Sequence, residues 1–176
     1  MEKSQLKING GRYHNRKITC YVSDEMRPTG VRVRTVLFDW IRDILPGAHC
    51  LDLFSGSGIL AFTALSWGAS SAHCIDLDAS NCQMIASEAK RIGAEHLKTE
   101  CLKLPAPIMG DYDVCFIDPP FSDEGLCLEL LNLCCSSFSN KTFIYFEWKS
   151  VITDNRFQVI KHKKVSNVYM HLLRVI

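Results

Sequence analysis

Between residues 49 and 147 the apolar residues fall in short continuous runs, and between the runs they recur at helical spacing. HCLDL (49–53), AHCID (72–76), DVCFI (113–117) and TFIYFE (142–147) have the length of strands and are apolar on both faces. A further strand-like segment lies near 97–102. Residues 58–67, 79–92 and 124–135 read as the helices between them. This alternation predicts an α/β fold with a mostly parallel sheet covered by helices on both faces. Upstream, 32–45 (RVRTVLFDWIRDIL) sets Val33, Leu37, Trp40, Ile41 and Ile44 on one helical stripe, with Trp40 read as core and Pro46-Gly47 as the stop. At both ends the pattern changes to alternation. Residues 5–22 read as two short strands about a turn rich in Gly, Asn and basic residues. The tail RFQVIKHKKVSNVYMHLLRVI reads as two strands joined near Ser166-Asn167, an antiparallel closing hairpin.

The 176 residues, 47% hydrophobic, suit one domain with a small appendage, and no internal repeat or low-complexity linker divides them. We expect residues 1–30 as an N-terminal extension and 31–176 as the main domain. No apolar run approaches the ~20 residues of a membrane helix, and MEKSQLKINGG lacks the apolar stretch of a signal peptide. A cytoplasmic protein without membrane contact is expected. Nine cysteines form no CxxC pair, and Cys50, Cys74, Cys115 and Cys134 sit inside apolar runs, so buried reduced thiols and no metal are expected. The net charge of +1 hides an asymmetry. Residues 1–34 carry eight Lys/Arg against three acids, and residues 155–176 carry five against none. Basic ends around an acidic body suit a polyanion-binding periphery.

LDLFSGSGILAF places Asp52 at a strand end and Gly56 and Gly58 in the turn that opens the next helix. Glycine permits a sharp turn and lets a ligand approach the backbone. Twenty residues after Gly56, Asp76 ends the next strand, where a carboxylate can accept from ribose hydroxyls. Gly56-x-Gly58-x-x-Ala61 also fits a dinucleotide fingerprint, so NAD is the competing ligand. A carboxylate at Asp52 opposes a pyrophosphate and suits S-adenosylmethionine, which carries an ammonium and a sulfonium. At an effective dielectric of ~20, unit charges 4 Å apart interact by about 4 kcal/mol, so the sign decides.

FIDPPF (116–121) ends an apolar strand on a carboxylate, two prolines and an aromatic ring. The exocyclic amine of a nucleobase is a weak nucleophile, because its lone pair is delocalised into the ring. Asp118 and the Pro119 carbonyl can each accept one of its N–H groups and aim the lone pair at a methyl donor. Proline fixes φ and removes a competing donor. Phe121 can stack on the base, an interaction worth ~1–3 kcal/mol. Pro120 completes the set.

The segments LKINGGRYHNRKI, RPTGVRVRTVLFDWI, CLDLFSGSGILAFTALSWGA, FIDPPF and IYFEW, in that order, resemble the RsmD family of bacterial 16S rRNA guanine-N2-methyltransferases. The resemblance implies a Rossmann-like class I S-adenosylmethionine-dependent methyltransferase, with a seven-stranded sheet and an N-terminal β-hairpin extension. It implies transfer to guanine 966 (rRNA numbering) in an assembled or assembling 30S subunit. A monomer is expected. It places Asp52, Phe54, Ser55, Gly56, Gly58, Asp76, Leu77, Cys101, Leu102 and Asp118 around the cofactor, with Leu102 acting through its backbone. Arg12, Arg16, Lys17, Arg27, Arg32 and Arg34 would meet RNA phosphates, each adding salt dependence. His14 is a further phosphate candidate, and Glu147 matches a family position with either a site role or a structural ion pair.

Four positions depart from the family pattern: Gly30 and Val31 stand for a threonine and an acid, Cys101 for Asp or Asn, and Asn15 for a glycine. The tetrapeptide also serves adenine-N6 and protein-amide methylation, and a nucleotide-binding module without catalysis is the remaining alternative.

Overall fold

The computed structural model describes residues 2–22, 29–120 and 124–176. β1 (Glu2–Lys7) and β2 (Lys17–Val22) pair antiparallel as a separate hairpin. α1 (Val31–Ile41) follows, prolonged by a 3-10 turn over Arg42–Ile44, and ends as expected before Pro46-Gly47. The apolar runs become β3 (His49–Leu53), β4 (Ser71–Asp76), β5 (Leu97–Cys101), β6 (Val114–Ile117) and β7 (Phe143–Trp148). Between them lie α2 (Ile59–Ser66), α3 (Ala79–Ile92) and α4 (Glu124–Ser137). The tail forms β8 (Phe157–Val165) and β9 (Val168–Val175). The sheet order is β5-β4-β3-β6-β7-β9-β8, parallel except where β9 pairs antiparallel with both neighbours.

Two apolar layers cover the sheet. Leu37 and Phe38 of α1, Phe62 of α2, Ile85 of α3 and Ile18 of the hairpin pack against Phe116, Tyr145 and Met170, with Trp40 partly buried at the margin. On the other face Leu130, Leu131 and Cys134 of α4 meet Cys115, Ile117, Phe146 and Leu173. Residues alternate between these faces along each strand, which is why each run is apolar throughout. Cys50, Cys74, Cys115 and Cys134 are buried free thiols, and burial pushes the Cys50 thiol up to about 12.

All eight residues of α2 are buried, because the hairpin turn covers its outer side. The Arg12 N–H donates to Ser66 O (2.7 Å), the Tyr13 N–H to Ser66 Oγ (2.8 Å), and Trp67 Nε1 to Asn9 O (2.9 Å). Gly11 makes this approach possible: its φ is +69°, and a Cβ there would lie 1.8 Å from Ser66 O. Asn15 takes φ +62°, a left-handed conformation asparagine tolerates, so the turn persists without glycine. His14 is exposed on this turn, its Nδ1 accepting from the Gly10 N–H (2.8 Å).

From β3 the chain winds outward through β4 to β5, then returns to the other side of β3 as β6. Strand order reverses between β3 and β6. In open α/β sheets the crevice beyond the carboxyl ends of two such strands is the ligand site.

Candidate active site

The β3 and β6 tips deliver Phe54 and Asp118 to this crevice, and the β4 tip adds Asp76 and Leu77. Phe54 has φ +61°, a conformation costly for a bulky residue, held at the start of the glycine loop. Ser55 fixes the loop from within: its N–H donates to Ile75 O (3.0 Å) and its hydroxyl to Asp52 O (2.6 Å). Gly56 and Gly58 both take positive φ, and Gly58 packs on Ile85 closely enough that a Cβ would lie 3.1 Å from that side chain.

Asp76 braces the loop. Its Oδ2 accepts from the Gly56 N–H (2.7 Å), and its Oδ1 from the Asp78 N–H (2.9 Å) and Asn81 Nδ2 (3.2 Å). Two carboxylate oxygens offer about four acceptor positions, so one remains for a ligand hydroxyl. Leu77, 66% exposed beside it, is an unpaired apolar surface of the kind a purine ring covers. Cys101 is exposed and its Sγ donates to Leu77 O (3.3 Å).

Three expectations are corrected. The Leu102 N–H donates to Asp76 O (3.0 Å), extending the β4–β5 ladder, so this donor belongs to the sheet and not to a ligand. Asp52 is 2% exposed and its Oδ2 accepts from the Ala61 N–H (3.3 Å) in the first turn of α2. Burial, and then the carboxylates of Asp118 and Asp76, raise its pKa well above the usual range. Asp52 therefore anchors the loop from inside, and the choice between ligands does not rest on an open charge at that residue. It rests on the cluster: acids gathered at one crevice repel one another, and a cationic ligand relieves that repulsion. The third correction is Arg34, expected on RNA. It is 2% exposed, its Nε donating to Thr29 O (3.1 Å) and its Nη1 to Lys7 O (3.0 Å), which leaves it no route to a phosphate.

Asp118 continues β6 by one residue and projects on the α1 side of the sheet, as Phe116 does two residues earlier. Its Oδ2 accepts from the Thr29 hydroxyl (2.6 Å). Burial pushes its pKa up to about 6, and the Thr29 hydrogen bond acts in the opposite direction. On the next strand Glu147 is buried and accepts from the Tyr145 hydroxyl (2.6 Å). Burial first, and the Asp118 charge second, lift Glu147 to about 8. Pro119 is buried and Pro120 exposed, so the tip is a rigid ledge with one face open. Phe121 and Arg27 lie outside the described residues.

The basic residues divide. Arg32 is exposed on the first turn of α1, close to the crevice, and Val31 beside it is also exposed; Gly30, the N-cap, makes no side-chain cap. The hairpin turn is elsewhere. Arg16 Nη1 donates to Ile92 O (3.4 Å) and Arg12 is tied to Ser66, at the C-terminal ends of α3 and α2. Crossover helices run opposite to their strands, so those ends lie at the edge away from Asp118. Lys17 is exposed on the strand leaving that turn. The sequence reading missed Thr29 and Tyr145, whose partners are set by tertiary packing, and named no residue of the basic tail although Lys161 and Lys163 are exposed on β8.

A family model described as conserved hypothetical protein 95 matches residues 6–174. The chain belongs to this family. Among relatives it is similar to ribosomal RNA small subunit methyltransferase D of Haemophilus influenzae, 30% identical over 97% of this chain and 94% of that protein. To the Escherichia coli protein of the same name it is 34% identical over 73% of this chain, an alignment that spans 66% of that protein's length. The solved structure of Escherichia coli yhhF superposes with a TM-score of 0.85 at 29% identity, covering 98% of both chains. A Haemophilus influenzae structure does so at 0.79 and 26% identity, covering 98% of this chain and 99% of that one. Both superpositions span nearly the whole of this chain. Among the described residues no helix is long and apolar enough to cross a membrane.

Proposed function

We propose that this chain transfers a methyl group from S-adenosylmethionine to the exocyclic N2 amine of a guanine in 16S rRNA, at position 966 in rRNA numbering, within an assembled or assembling 30S subunit. The observation that carries the reading is the rigid Asp118-Pro119 ledge beside the glycine loop at the β3–β6 switch point, in a chain whose relatives are named rRNA small subunit methyltransferases. The protein would act in the cytoplasm as a monomer without metal, residues 1–30 forming an RNA-facing extension of a catalytic domain over 31–176.

S-adenosylmethionine supplies a methyl group on a positively charged sulfur. The glycine loop and Asp76 would hold its nucleoside, with Phe54, Leu77, Cys101 and Leu102 as the apolar surround. Ionised Asp118 accepts one N–H of the guanine amine, and the Pro119 carbonyl accepts the other. Two acceptors on one nitrogen draw it toward pyramidal geometry and direct its lone pair at the methyl carbon. A pKa of about 6 leaves Asp118 largely ionised at neutral pH. Once alkylated, the nitrogen loses its proton readily to water, so no strong base is required. Positioning and local charge account for the rate. Arg32, Lys17, Arg12 and Arg16 would contact RNA phosphates, together with the β8 lysines.

The test supplies tritiated S-adenosylmethionine with undermodified 30S particles, naked 16S rRNA and DNA, and maps the label. Label on one guanine of the particle is expected; label on adenine or on no base overturns the reading. Asp118→Asn is expected to abolish transfer, at least about 100-fold, while S-adenosylhomocysteine still binds.

A further inference from the structure

Asp118 is held by a residue 89 positions away. The Thr29 hydroxyl lies 2.6 Å from Asp118 Oδ2, and Thr29 is itself gripped through its carbonyl by Arg34 Nε. The other arm of the same guanidinium, Nη1, grips Lys7 O at the end of β1. Arg34 is among the largest fully buried side chains, and burial lowers its pKa. Burying a guanidinium is expensive unless its donors are satisfied. Here they are spent on two main-chain carbonyls, one from the hairpin and one from the segment that enters α1.

We infer that Thr29 is a positioning residue for Asp118 and that Arg34 is the clamp that keeps Thr29 in place, so the junction between hairpin and α1 sets the direction of the amine-binding carboxylate. This rests on the reading of Asp118 given above. A carboxylate torsion is broad and close to two-fold, so proline fixes the backbone of the ledge but not the plane of the Asp118 side chain. A short hydrogen bond to Oδ2 sets that plane and leaves Oδ1 to accept the amine. It also favours the ionised form needed for acceptance. Burial works the other way, and the titratable groups facing it, Asp52 from β3 and Glu147 with Tyr145 from β7, are pushed toward their protonated forms by burial and by the Asp118 charge. Among the described residues, the Thr29 hydroxyl is the donor that favours the ionised carboxylate.

Thr29→Val removes the hydroxyl at nearly constant shape, and Thr29→Ser keeps it. Methyl transfer to 30S particles is measured against pH, alongside S-adenosylhomocysteine affinity as a check on folding. Thr29→Val should lower kcat by about ten- to a hundredfold with homocysteine-product affinity within about twofold of wild type. The acid limb of its kcat profile should move to higher pH. Thr29→Ser should restore both. Arg34→Lys should lower kcat in the same direction, and adding it to Thr29→Val should cost less than the product of the two single effects, because both act through one hydrogen bond.

If Thr29→Val keeps the wild-type kcat and acid limb while Asp118→Asn abolishes transfer, the inference fails and the role of Asp118 stands. If Asp118→Asn still transfers methyl groups, that role fails and the inference falls with it.

Discussion

Glu147 shows how much a single buried acid can couple stability to pH. It is 5% exposed, shares the crevice with Asp118, and titrates at about 8 in place of its ordinary 4.5. The folded chain therefore holds a proton on Glu147 that the unfolded chain has lost between about pH 4.5 and 8. Stability from this residue is fully present below pH 4.5 and is lost as pH rises through 8. Asp118 adds the same sign between 3.8 and about 6. Buried His171, whose pKa burial lowers, has the opposite sign, so the informative quantity is a difference between variants. Glu147→Gln should gain stability relative to wild type as pH rises from 5.5 to 8.5, read as the change in ΔTm between the two proteins. A constant ΔTm would mean that Glu147 is ionised throughout. Residues such as Asp118, Gly56 and Asp76 were legible because strand ends and turn chemistry place them locally. Thr29 and Arg34 were not: a threonine and an arginine around a helix start read as surface, and only the packed hairpin makes them interior.

At the scale of elements, strands and helices from β3 onward follow the sequence reading within one or two residues, since each apolar run faces a covered side of the sheet, whereas β1 starts three residues earlier than read and α1 gives way to a 3-10 turn after Ile41. What pattern alone cannot show is which elements meet. α2 is apolar on every side, and a helix of that kind must be buried all round. The hairpin turn supplies its outer cover, through hydrogen bonds spanning more than fifty residues of sequence. Gly11 decides whether the turn can sit there. Gly11→Ala combines an unfavourable φ with a Cβ 1.8 Å from Ser66 O, a main-chain atom that cannot swing away. It should destabilise the fold by about 2 kcal/mol or more in urea unfolding, with earlier proteolysis of the hairpin. Asn15→Gly, which suits the same left-handed turn, should change stability by less than about 1 kcal/mol. Similar losses from the two substitutions would mean that φ alone governs the turn, and not its seat on α2.

For the whole molecule, the sheet has one edge that carries the crevice and another that carries the hairpin turn, and the basic residues are distributed over both. Extending the register of β6 and β7 puts Asp118 level with Glu147; Glu147 opposes Met170, and Met170 opposes Lys163. Asp118 and Lys163 thus occupy one row, three strand spacings or about 14 Å apart. Met170 packs on the α1 face, so Lys163 projects on that face too, as does Lys161, whose Nζ donates to Trp40 O (3.4 Å). RNA flanking a base on the Asp118 ledge would cross this row, whereas Arg12 and Arg16 are pinned near the far edge. The two groups should then separate by substrate. Lys161→Ala with Lys163→Ala should weaken binding of a short RNA hairpin containing the target guanine, and flatten the slope of log K against log salt by about 0.7–0.9 for each phosphate no longer neutralised. Arg12→Ala with Arg16→Ala should leave that short RNA nearly unaffected and weaken binding only to the 30S particle, which is large enough to reach both edges. Filter binding across a salt series with both substrates reads the difference. If the hairpin-turn pair controls the short RNA and the β8 pair does not, the target base must approach from the hairpin side and the path across β7, β9 and β8 is wrong.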